Sequence, residues 1–233
     1  MNVKEAIILA GGLGTRLRSV VSDMPKCMAL VNGKPFIYYV IKNLQEQGVN
    51  KFIFSLGYKH EILTEFLNNL LENINVDFII ENEPLGTGGA IKNAYNFTSQ
   101  KNVIISNGDT LFKTDINKLF KFHEDRNAEC TLSLKQMHKF DRYGVVELSS
   151  KNNIILFKEK KYYEEGLING GLYILNMKKF MTKTLEEKFS FEKDYLEKFY
   201  VNGNMFGIIS KDYFIDIGIP SDYERANNEI SNY

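Results

Sequence analysis

The residues best suited to chemistry stand near the start of the chain, where glycines and cations follow a short apolar run. Residues 6–9 are typical of a buried strand. Three glycines within residues 11–14 let the backbone turn sharply, and successive free N–H groups in such a turn bind anions. Arg16 and Lys26 add a planar fork and a point charge. Together these groups favour a polyphosphate ligand.

Two better-known glycine loops do not fit this stretch. A dinucleotide-binding fingerprint would need its third glycine at the position of Leu17. A P-loop needs Gly-Lys followed by Ser or Thr, whereas Gly33-Lys34 is followed by Pro35. The loop therefore indicates a different class of phosphate-binding protein.

Two separated aspartates are candidate metal ligands. Asp109 lies in an Asn-Gly-Asp turn after an apolar run, and Gly108 lets the backbone approach a ligand closely. Asp216 stands between two isoleucines, where an unpaired carboxylate would be costly to bury. Because Mg²⁺ combines a few carboxylates with phosphate oxygens and water, Asp109 and Asp216 would suffice. A turn or helix-cap role for each aspartate is the alternative.

The first half of the chain alternates predicted strands and helices that would position these residues. Apolar stripes predict helices over 35–47 and 62–71, a further helix ends near Tyr95, and another begins near Ile116. Strands are predicted at residues 6–9, 51–56, 76–80 and 103–106. This alternation predicts an α/β, doubly wound, mainly parallel and Rossmann-like sheet. Such sheets bind ligands beyond the carboxyl ends of their strands.

From about residue 128 the pattern changes to short strands. These are predicted at 130–135, 145–148, 154–157, 172–175, 206–209 and 213–217. Helical stretches are predicted near 176–186 and 190–199, and Pro220 begins a terminal helix. Ser190 is a candidate helix cap, with Glu192 and Asp194 as secondary site candidates. We expect a single domain over 1–233, with a first half over 1–127 and a smaller β/α lobe over 128–233.

Composition bounds the partners and the compartment. The 233 residues carry 29 basic and 29 acidic side chains, so no net charge favours nucleic acid or a membrane surface. No apolar run approaches the ~20 residues of a transmembrane helix, and the first residues lack a signal-peptide pattern. Cys27 and Cys130 do not indicate a disulfide framework, which favours the cytoplasm. Exposed apolar surface on the second half is compatible with a homodimer.

The string L-A-G-G-x-G-T-R-L, followed by Pro25-Lys26, resembles the signature of the sugar-1-phosphate nucleotidylyltransferases. The resemblance implies a GT-A-like nucleotidyltransferase fold, Mg²⁺ as cofactor, and an NTP and a sugar 1-phosphate as substrates. It makes 1–127 the nucleotide-binding half and 128–233 the smaller sugar-side β/α lobe. An oxygen of the sugar phosphate would attack the α-phosphorus, and pyrophosphate would leave. The family's metal-binding aspartates correspond to Asp109 and Asp216. Phe214 and Ile219 depart from the family's second metal motif, whereas Gly218 matches it.

Two later segments resemble the family's sugar-binding motifs. Residues 157–160, Phe-Lys-Glu-Lys, resemble F-x-E-K-P, in which the carboxylate binds sugar hydroxyls and the lysine binds the phosphate. Lys161 replaces the proline, so Lys158, Lys160 and Lys161 remain alternatives for the phosphate. Residues 168–173 resemble the N-x-G-x-Y segment that lines the sugar pocket.

The second glycine loop, residues 86–89, resembles the family's nucleobase-binding turn, where glycine lets a flat base lie on the backbone. Glu81 or Glu83 is suited to accept hydrogen bonds from the two adjacent N–H donors of guanine. This observation weakly favours GTP, because relatives that use other nucleotides also carry acids nearby.

The resemblance gives candidate residues for each role. The catalytic candidates are Arg16, Lys26, Asp109 and Lys160. The nucleotide-binding candidates are Leu9, Ala10, Gly11, Gly12, Gly14, Thr15, Arg16, Lys26, Glu81, Glu83, Gly86, Thr87, Gly88 and Asp109. The sugar-phosphate-binding candidates are Asn107, Gly108, Tyr143, Gly144, Glu159, Lys160, Asn169 and Gly170.

Within the family, the short length and the strings PKCMA, EPLGTGGA and SFEKD most resemble the guanylyltransferases that act on D-glycero-α-D-manno-heptose 1-phosphate. That resemblance implies synthesis of GDP-heptose for surface polysaccharide. The alternatives are a mannose 1-phosphate guanylyltransferase and a uridylyl- or thymidylyltransferase for another sugar phosphate. A non-catalytic regulatory homologue that binds a nucleotide sugar is the alternative from another class.

Overall fold

The computed structural model describes residues 4–12, 17, 24–158 and 160–230. In the first half, strands and helices alternate from the start. The strands are β1 (Lys4–Ala10), β2 (Leu30–Val31), β3 (Lys34–Pro35), β4 (Val49–Leu56), β5 (Asn75–Ile80), β6 (Asn102–Asn107) and β7 (Thr110–Phe112). The helices are α1 (Phe36–Glu46), α2 (His60–Leu70), α3 (Gly86–Asn93) and α4 (Ile116–Asp125), with 3₁₀ turns at Lys26–Met28 and Ala94–Phe97.

Helix α1 shows how local sequence sets these bounds. Pro35, at φ −55°, caps the start of the helix, where a missing N–H costs little. The apolar stripe that includes Ile37, Val40 and Leu44 is buried. Gly48, at φ +88°, takes the left-handed conformation just beyond the helix and turns the chain into β4. The helix predicted over 35–47 is therefore present.

The second half extends the same sheet, mainly with antiparallel strands, and adds one strand to a separate two-stranded sheet. Its strands are β8 (Cys130–Phe140), β9 (Val145–Leu148), β10 (Ile154–Lys158), β11 (Tyr163–Asn176), β12 (Met205–Ser210) and β13 (Phe214–Asp216). Its helices are α5 (Met177–Met181), α6 (Glu197–Phe199) and α7 (Pro220–Glu229), together with a π-helical segment at Phe191–Leu196 and a 3₁₀ turn at Tyr200–Asn202.

Nine of the described strands form one sheet. Its main path runs β10-β9-β11-β6-β1-β4-β5, and β8 pairs with both β11 and β12. Strands β6, β1, β4 and β5 are mutually parallel, whereas β11 is antiparallel to β6. The predicted α/β, mainly parallel and doubly wound sheet is confirmed. Because β1 lies between β4 and β6, the segments that leave β1 and β6 emerge side by side.

The core occupies both faces of this sheet, since side chains alternate along each strand. Ile8 packs with the apolar faces of α1, α2, α4 and α7 on one face. Ile7 packs on the other face with α3, α5 and the segment Phe191–Leu196. Burying each such side chain contributes roughly 1.5–3 kcal/mol, so the packing holds the strand ends in place beneath the site.

Three predicted bounds in the second half are wrong. The strand predicted at 130–135 continues to Phe140. The strand predicted at 172–175 extends back to Tyr163, because residues 163–169 pair with β8 across a long sequence separation. The helix predicted near 176–186 ends at Met181. The chain beyond it leaves helical geometry to contact α3, where the carbonyl groups of Leu185 and Glu186 accept hydrogen bonds from Lys92 Nζ.

Candidate active site

Two cavities open at the carboxyl ends of the parallel strands. The first has a volume of about 380 Å³ and the second about 500 Å³. Lys26, Asn107 and Asp109 line both of them. Two ligands seated in these cavities would therefore meet at this trio, as a transfer between two substrates requires.

The first cavity collects most of the predicted nucleotide-binding residues. Those that line it are Leu9, Ala10, Gly11, Gly12, Lys26, Glu81, Gly86, Thr87 and Asp109. Gly14, Thr15 and Arg16 lie outside the described residues. Glu83 is exposed and Gly88 is buried, and neither lines this cavity. Ser55, Pro84, Ala90 and Gly218 line it without having been predicted.

The second glycine loop owes its small residues to internal packing. A Cβ atom on Gly88 would lie 2.1 Å from the Phe189 ring. One on Gly86, which has a φ of +73°, would lie 2.5 Å from the Phe189 carbonyl oxygen. That oxygen also accepts hydrogen bonds from the N–H groups of Gly88 (3.0 Å) and Gly89 (3.4 Å). The amides of Gly88 and Gly89 are thus satisfied by the protein, and only Gly86 and Thr87 of this loop face the cavity.

Glu81 is held by hydrogen bonds at both carboxylate oxygens. Its Oε1 accepts from Ser55 Oγ at 2.6 Å, and its Oε2 accepts from the Leu85 N–H at 3.0 Å. A Cβ atom on Gly11 would lie 3.4 Å from Oε1, so the carboxylate lies against the first glycine loop. Since each carboxylate oxygen has two lone pairs, Glu81 keeps acceptor capacity on the cavity wall.

Lys26 lies between the two predicted metal-binding aspartates. Its Nζ is 2.6 Å from Asp109 Oδ2 and 3.5 Å from Asp216 Oδ1. Residues 109 and 216 meet because β13 pairs antiparallel with β7, with Asp216 opposite Thr110. The Ile217 N–H also donates to the Asp109 carbonyl at 3.1 Å. This long-range pairing turns two separate strand-end acids into one carboxylate pair.

The carboxylate pair fits a hard divalent cation. Both side chains are partly buried, and the single ammonium that contacts both carries only one of the two positive charges needed to balance them. Within the described ranges, no group of three or more His, Cys, Asp or Glu side chains could hold a metal by itself. Mg²⁺ needs only one or two carboxylates when phosphate oxygens and water complete its shell, so Asp109 and Asp216 suit it.

The environment of Asp216 opposes its negative charge. Burial, and then the neighbouring charge of Asp109, raise the pKa of the Asp216 carboxyl above its ordinary value. Tyr143 donates its hydroxyl hydrogen to Asp216 Oδ2 at 3.1 Å. Burial and the charge of Asp216 raise the pKa of the Tyr143 hydroxyl, which keeps it a donor.

The second cavity collects most of the predicted sugar-phosphate residues. Those that line it are Asn107, Tyr143, Gly144, Lys160, Asn169 and Gly170. Glu159 lies outside the described residues. Gly108 does not line this cavity: a Cβ atom there would lie 3.2 Å from the Leu9 carbonyl oxygen, so the glycine permits close packing of the β6 end against β1.

The three neighbouring lysines have different surroundings. Lys158 forms an ion pair with Glu147. Lys161 Nζ lies 5.5 Å from the centre of the Tyr163 ring, and Lys161 does not line the second cavity. Lys158 and Lys160 both line the cavity, and the ion pair of Lys158 with Glu147 favours Lys160 for the predicted contact with the sugar phosphate.

One wall of the second cavity comes from a segment that sequence reasoning treated as secondary. Ser190, Glu192, Lys193 and Glu197 line it. Ser190 accepts a hydrogen bond from the Lys193 N–H, as its predicted capping role requires. Glu192 Oε2 accepts from Thr87 Oγ1 at 2.8 Å, and Thr87 lines the first cavity. The sequence signal for this wall was the pair of acids after Ser190, Glu192 and Asp194. Asp194 does not line the cavity and instead accepts a hydrogen bond from the Ser190 N–H.

Cys27 lies beside this site as a packing residue. Burial, then the charge of Asp109, raise the pKa of its thiol to about 12. Because the thiolate is the reactive form, this thiol is unreactive at neutral pH. Cys27 is therefore a packing residue and not a nucleophile.

The chain matches the nucleotidyl transferase family model over residues 5–232. It is 51% identical over 229 residues to D-glycero-α-D-manno-heptose 1-phosphate guanylyltransferase of Aneurinibacillus thermoaerophilus, covering 98% of this chain and 99% of that protein. It is 44% identical over 219 residues to the enzyme of the same name from Campylobacter jejuni, covering 94% of this chain and 96% of the other.

A solved structure shares this architecture. The crystal structure of HddC from Yersinia pseudotuberculosis complexed with GMP-PN superposes with a TM-score of 0.87 at 41% identity, covering 98% of this chain and all of the other. Separately, none of the helices in the described ranges combines the length and apolarity needed to cross a membrane.

Proposed function

Because the chain belongs to the nucleotidyl transferase family, we propose that it transfers GMP from GTP to D-glycero-α-D-manno-heptose 1-phosphate. The products would be GDP-heptose, for surface polysaccharide, and pyrophosphate. The observation that carries the proposal is the pair of cavities that meet at Lys26, Asn107 and Asp109. The names of the Aneurinibacillus and Campylobacter relatives support the sugar and the nucleotide.

The chemistry needs positioned charge more than a proton acceptor. An oxygen of the sugar phosphate, already anionic near neutral pH, attacks the α-phosphorus, and pyrophosphate leaves in line. Lys26, at the junction of the cavities, would neutralise charge on the reacting phosphate. Arg16 would serve the triphosphate, and Lys160, on the wall of the second cavity, would hold the sugar phosphate.

Asp109 and Asp216 would hold the divalent metal. When bound there, Mg²⁺ supplies further neutralisation of charge on the transferred phosphate. Two features of the chain favour metal binding there: both carboxylates lie around Lys26, and the Tyr143 hydroxyl donates to Asp216. Asn169 would contact the sugar through its side-chain amide. Two hydrogen bonds fix this amide: Nδ2 donates to Tyr173 Oη at 2.8 Å, and Oδ1 accepts from the Gly171 N–H at 3.1 Å.

A substrate matrix tests the proposal. GTP, ATP, UTP, dTTP and CTP are each paired with heptose 1-phosphate, mannose 1-phosphate and glucose 1-phosphate, and pyrophosphate release is measured. GTP with heptose 1-phosphate should give the highest kcat/KM. Preference for mannose 1-phosphate or for a pyrimidine nucleotide would identify one of the other transferases. Binding of GDP-heptose without pyrophosphate release from any pair would indicate a regulatory homologue.

The proposed setting is the cytoplasm, where the two buried free thiols, Cys27 and Cys130, stay reduced. A homodimer is a further proposal, supported by exposed apolar side chains in the second half: Ile155, Leu156 and Val201. Light scattering at micromolar concentration would give its mass directly. A monomeric mass would contradict the dimer and leave the activity untouched.

A further inference from the structure

A chain of polar contacts leads from the proposed metal site to the first turn of α7. Tyr143 donates its hydroxyl hydrogen to Asp216 Oδ2 at 3.1 Å. Arg142 Nη2 in turn donates to the Tyr143 oxygen at 3.4 Å. The same Nη2 forms an ion pair with Asp222, which is only 7% exposed. The order of contacts is therefore Asp222, Arg142, Tyr143 and Asp216.

The geometry points to Arg142 as a positioning residue that fixes Asp216 for metal binding. This inference rests on the proposed function, because it assigns Asp216 to the metal of that reaction. Arg142 does not line either cavity, so it acts through Tyr143. Both contacts are made by one nitrogen, Nη2, whose two N–H groups serve Asp222 and the Tyr143 oxygen.

The tyrosine ring is confined on several sides. It meets Phe214 edge-on at 6.3 Å between ring centres and Phe140 at 6.4 Å. The Arg142 guanidinium lies 5.2 Å from the centre of the same ring. Since Phe214 and Asp216 belong to one short strand, β13, the contacts fix the hydroxyl relative to the carboxylate that it serves.

The direction of the hydrogen bonds gives the relay its effect. An N–H donated by a cation to the Tyr143 oxygen polarises its O–H and strengthens the bond to Asp216. The Asp216 carboxylate is then held on one oxygen, Oδ2, while Oδ1 faces Lys26. Oriented outer partners of metal-binding carboxylates typically change metal affinity or activity by about 10–100-fold.

The chain offers a matched control in Arg225. Its Nη1 lies 3.3 Å from Asp222 Oδ1, within the same helix α7. Arg225 also forms an ion pair with Glu229, and within the described ranges no hydrogen bond or ion pair joins it to Tyr143. Removing Arg225 therefore removes one cation from Asp222 and leaves the contacts to Tyr143 and Asp216 in place.

The test is a titration with Mn²⁺, followed by electron paramagnetic resonance, in the presence of a non-hydrolysable GTP analogue. Arg142→Ala and Tyr143→Phe should each weaken Mn²⁺ binding by about tenfold, and Arg142→Lys should fall between Arg142→Ala and wild type. Arg225→Ala should bind Mn²⁺ as wild type does. The Arg142→Ala/Tyr143→Phe double variant should lose no more than the weaker-binding single variant, since both changes break one relay.

Kinetics gives a second readout. In the Arg142→Ala variant the Mg²⁺ concentration for half-maximal rate should rise about tenfold, and saturating Mg²⁺ should restore most of kcat with little change in the KM for heptose 1-phosphate. Thermal unfolding shows whether each variant is folded. If Arg142→Ala does not fold, Arg142→Lys and Tyr143→Phe still decide the question.

Three outcomes would overturn the inference: wild-type Mn²⁺ affinity in folded Arg142→Ala, an equal loss in Arg225→Ala, or losses that multiply in the double variant. Failure of the proposed function gives a different result. In that case wild-type protein releases no pyrophosphate from GTP and any sugar phosphate in the matrix, whereas the Mn²⁺ titration still reports on the relay.

Discussion

The two cavities of this molecule are built in different ways. The first lies beyond neighbouring parallel strands. Its walls include residues at the carboxyl ends of these strands: Gly11 directly after β1, Glu81 directly after β5 and Asn107 as the last residue of β6. The second combines a β8–β9 loop, the middle of β11, the segment Phe191–Leu196 and β13. Local sequence thus defines the nucleotide side, and long-range pairing defines the sugar side.

The two cavities also differ in charge. Among the described residues that line the first cavity, Lys26 is the only cation. The second has Lys26, Lys158, Lys160 and Lys193 on its walls, opposed by carboxylates that include Glu192. The first cavity, proposed for the nucleotide, therefore has backbone groups and hydrogen-bonded acceptors on its walls, whereas the second, proposed for the sugar phosphate, has mainly charged side chains. Substitutions should separate the two sides.

The largest effect is expected where the cavities join. Asp109→Asn and Asp216→Asn each remove a carboxylate from the metal pair, so kcat should fall by roughly 10³-fold, as the loss of several kcal/mol of stabilisation implies. Both proteins should remain folded by circular dichroism. Asp77→Asn, on the surface beside Lys51, is the control and should keep full activity. Near-normal turnover in either Asp109→Asn or Asp216→Asn would contradict the proposal that these two aspartates hold the metal.

A second substitution addresses the sugar side alone. Lys160→Ala should raise the KM for the sugar phosphate about 10–100-fold, as the loss of a charge-assisted hydrogen bond does, with the KM for GTP little changed. Lys26→Ala should impair the use of GTP. Steady-state kinetics with each substrate varied in turn measures the split. Lys161→Ala is the control, and a larger KM effect there or in Lys158→Ala would move the phosphate contact to that lysine.

The choice of base tests the nucleotide side. Glu81 lies on the first cavity with both oxygens already held, whereas Glu83 is exposed. If Glu81 accepts from guanine, UTP should lose about 10–100-fold in kcat/KM, because an unpaired buried acceptor costs roughly 1–3 kcal/mol. ITP should fall between GTP and ATP. Glu81→Gln should reduce the preference for GTP over UTP, and Glu83→Gln should not. If both variants keep the same preference for GTP, the Glu81 carboxylate does not recognise the base.

The smallest effect concerns the loop between the cavities. Gly88→Ala should lower the free energy of unfolding by about 1–3 kcal/mol, because the new methyl group overpacks the Phe189 ring. Gly12→Ala, where a Cβ atom meets nothing within 4 Å, is the matched control for stability. Urea denaturation measures both. Equal stability of the two variants would show that the loop and Phe189 move apart at little cost.

The sequence by itself determined the elements and the residue types of the nucleotide side. The spacing of apolar residues and the positions of proline and glycine are local properties of the sequence. They therefore predicted the four parallel strands and helix α1, which has Pro35 before it and Gly48 beyond it. The position of Asp109 directly after a strand also followed, because parallel strands present their carboxyl ends at one edge of the sheet.

Tertiary structure alone decided how the sugar side closes. Asp216 joins Asp109 and Lys26 only because β13 pairs with β7, and β11 begins at Tyr163 only because β8 lies beside it. Glu192 reaches the second cavity, and Gly88 lies under Phe189, through contacts about a hundred residues apart along the chain. Such pairings depend on which surfaces meet when the sheet forms, and no periodicity along the chain records that choice.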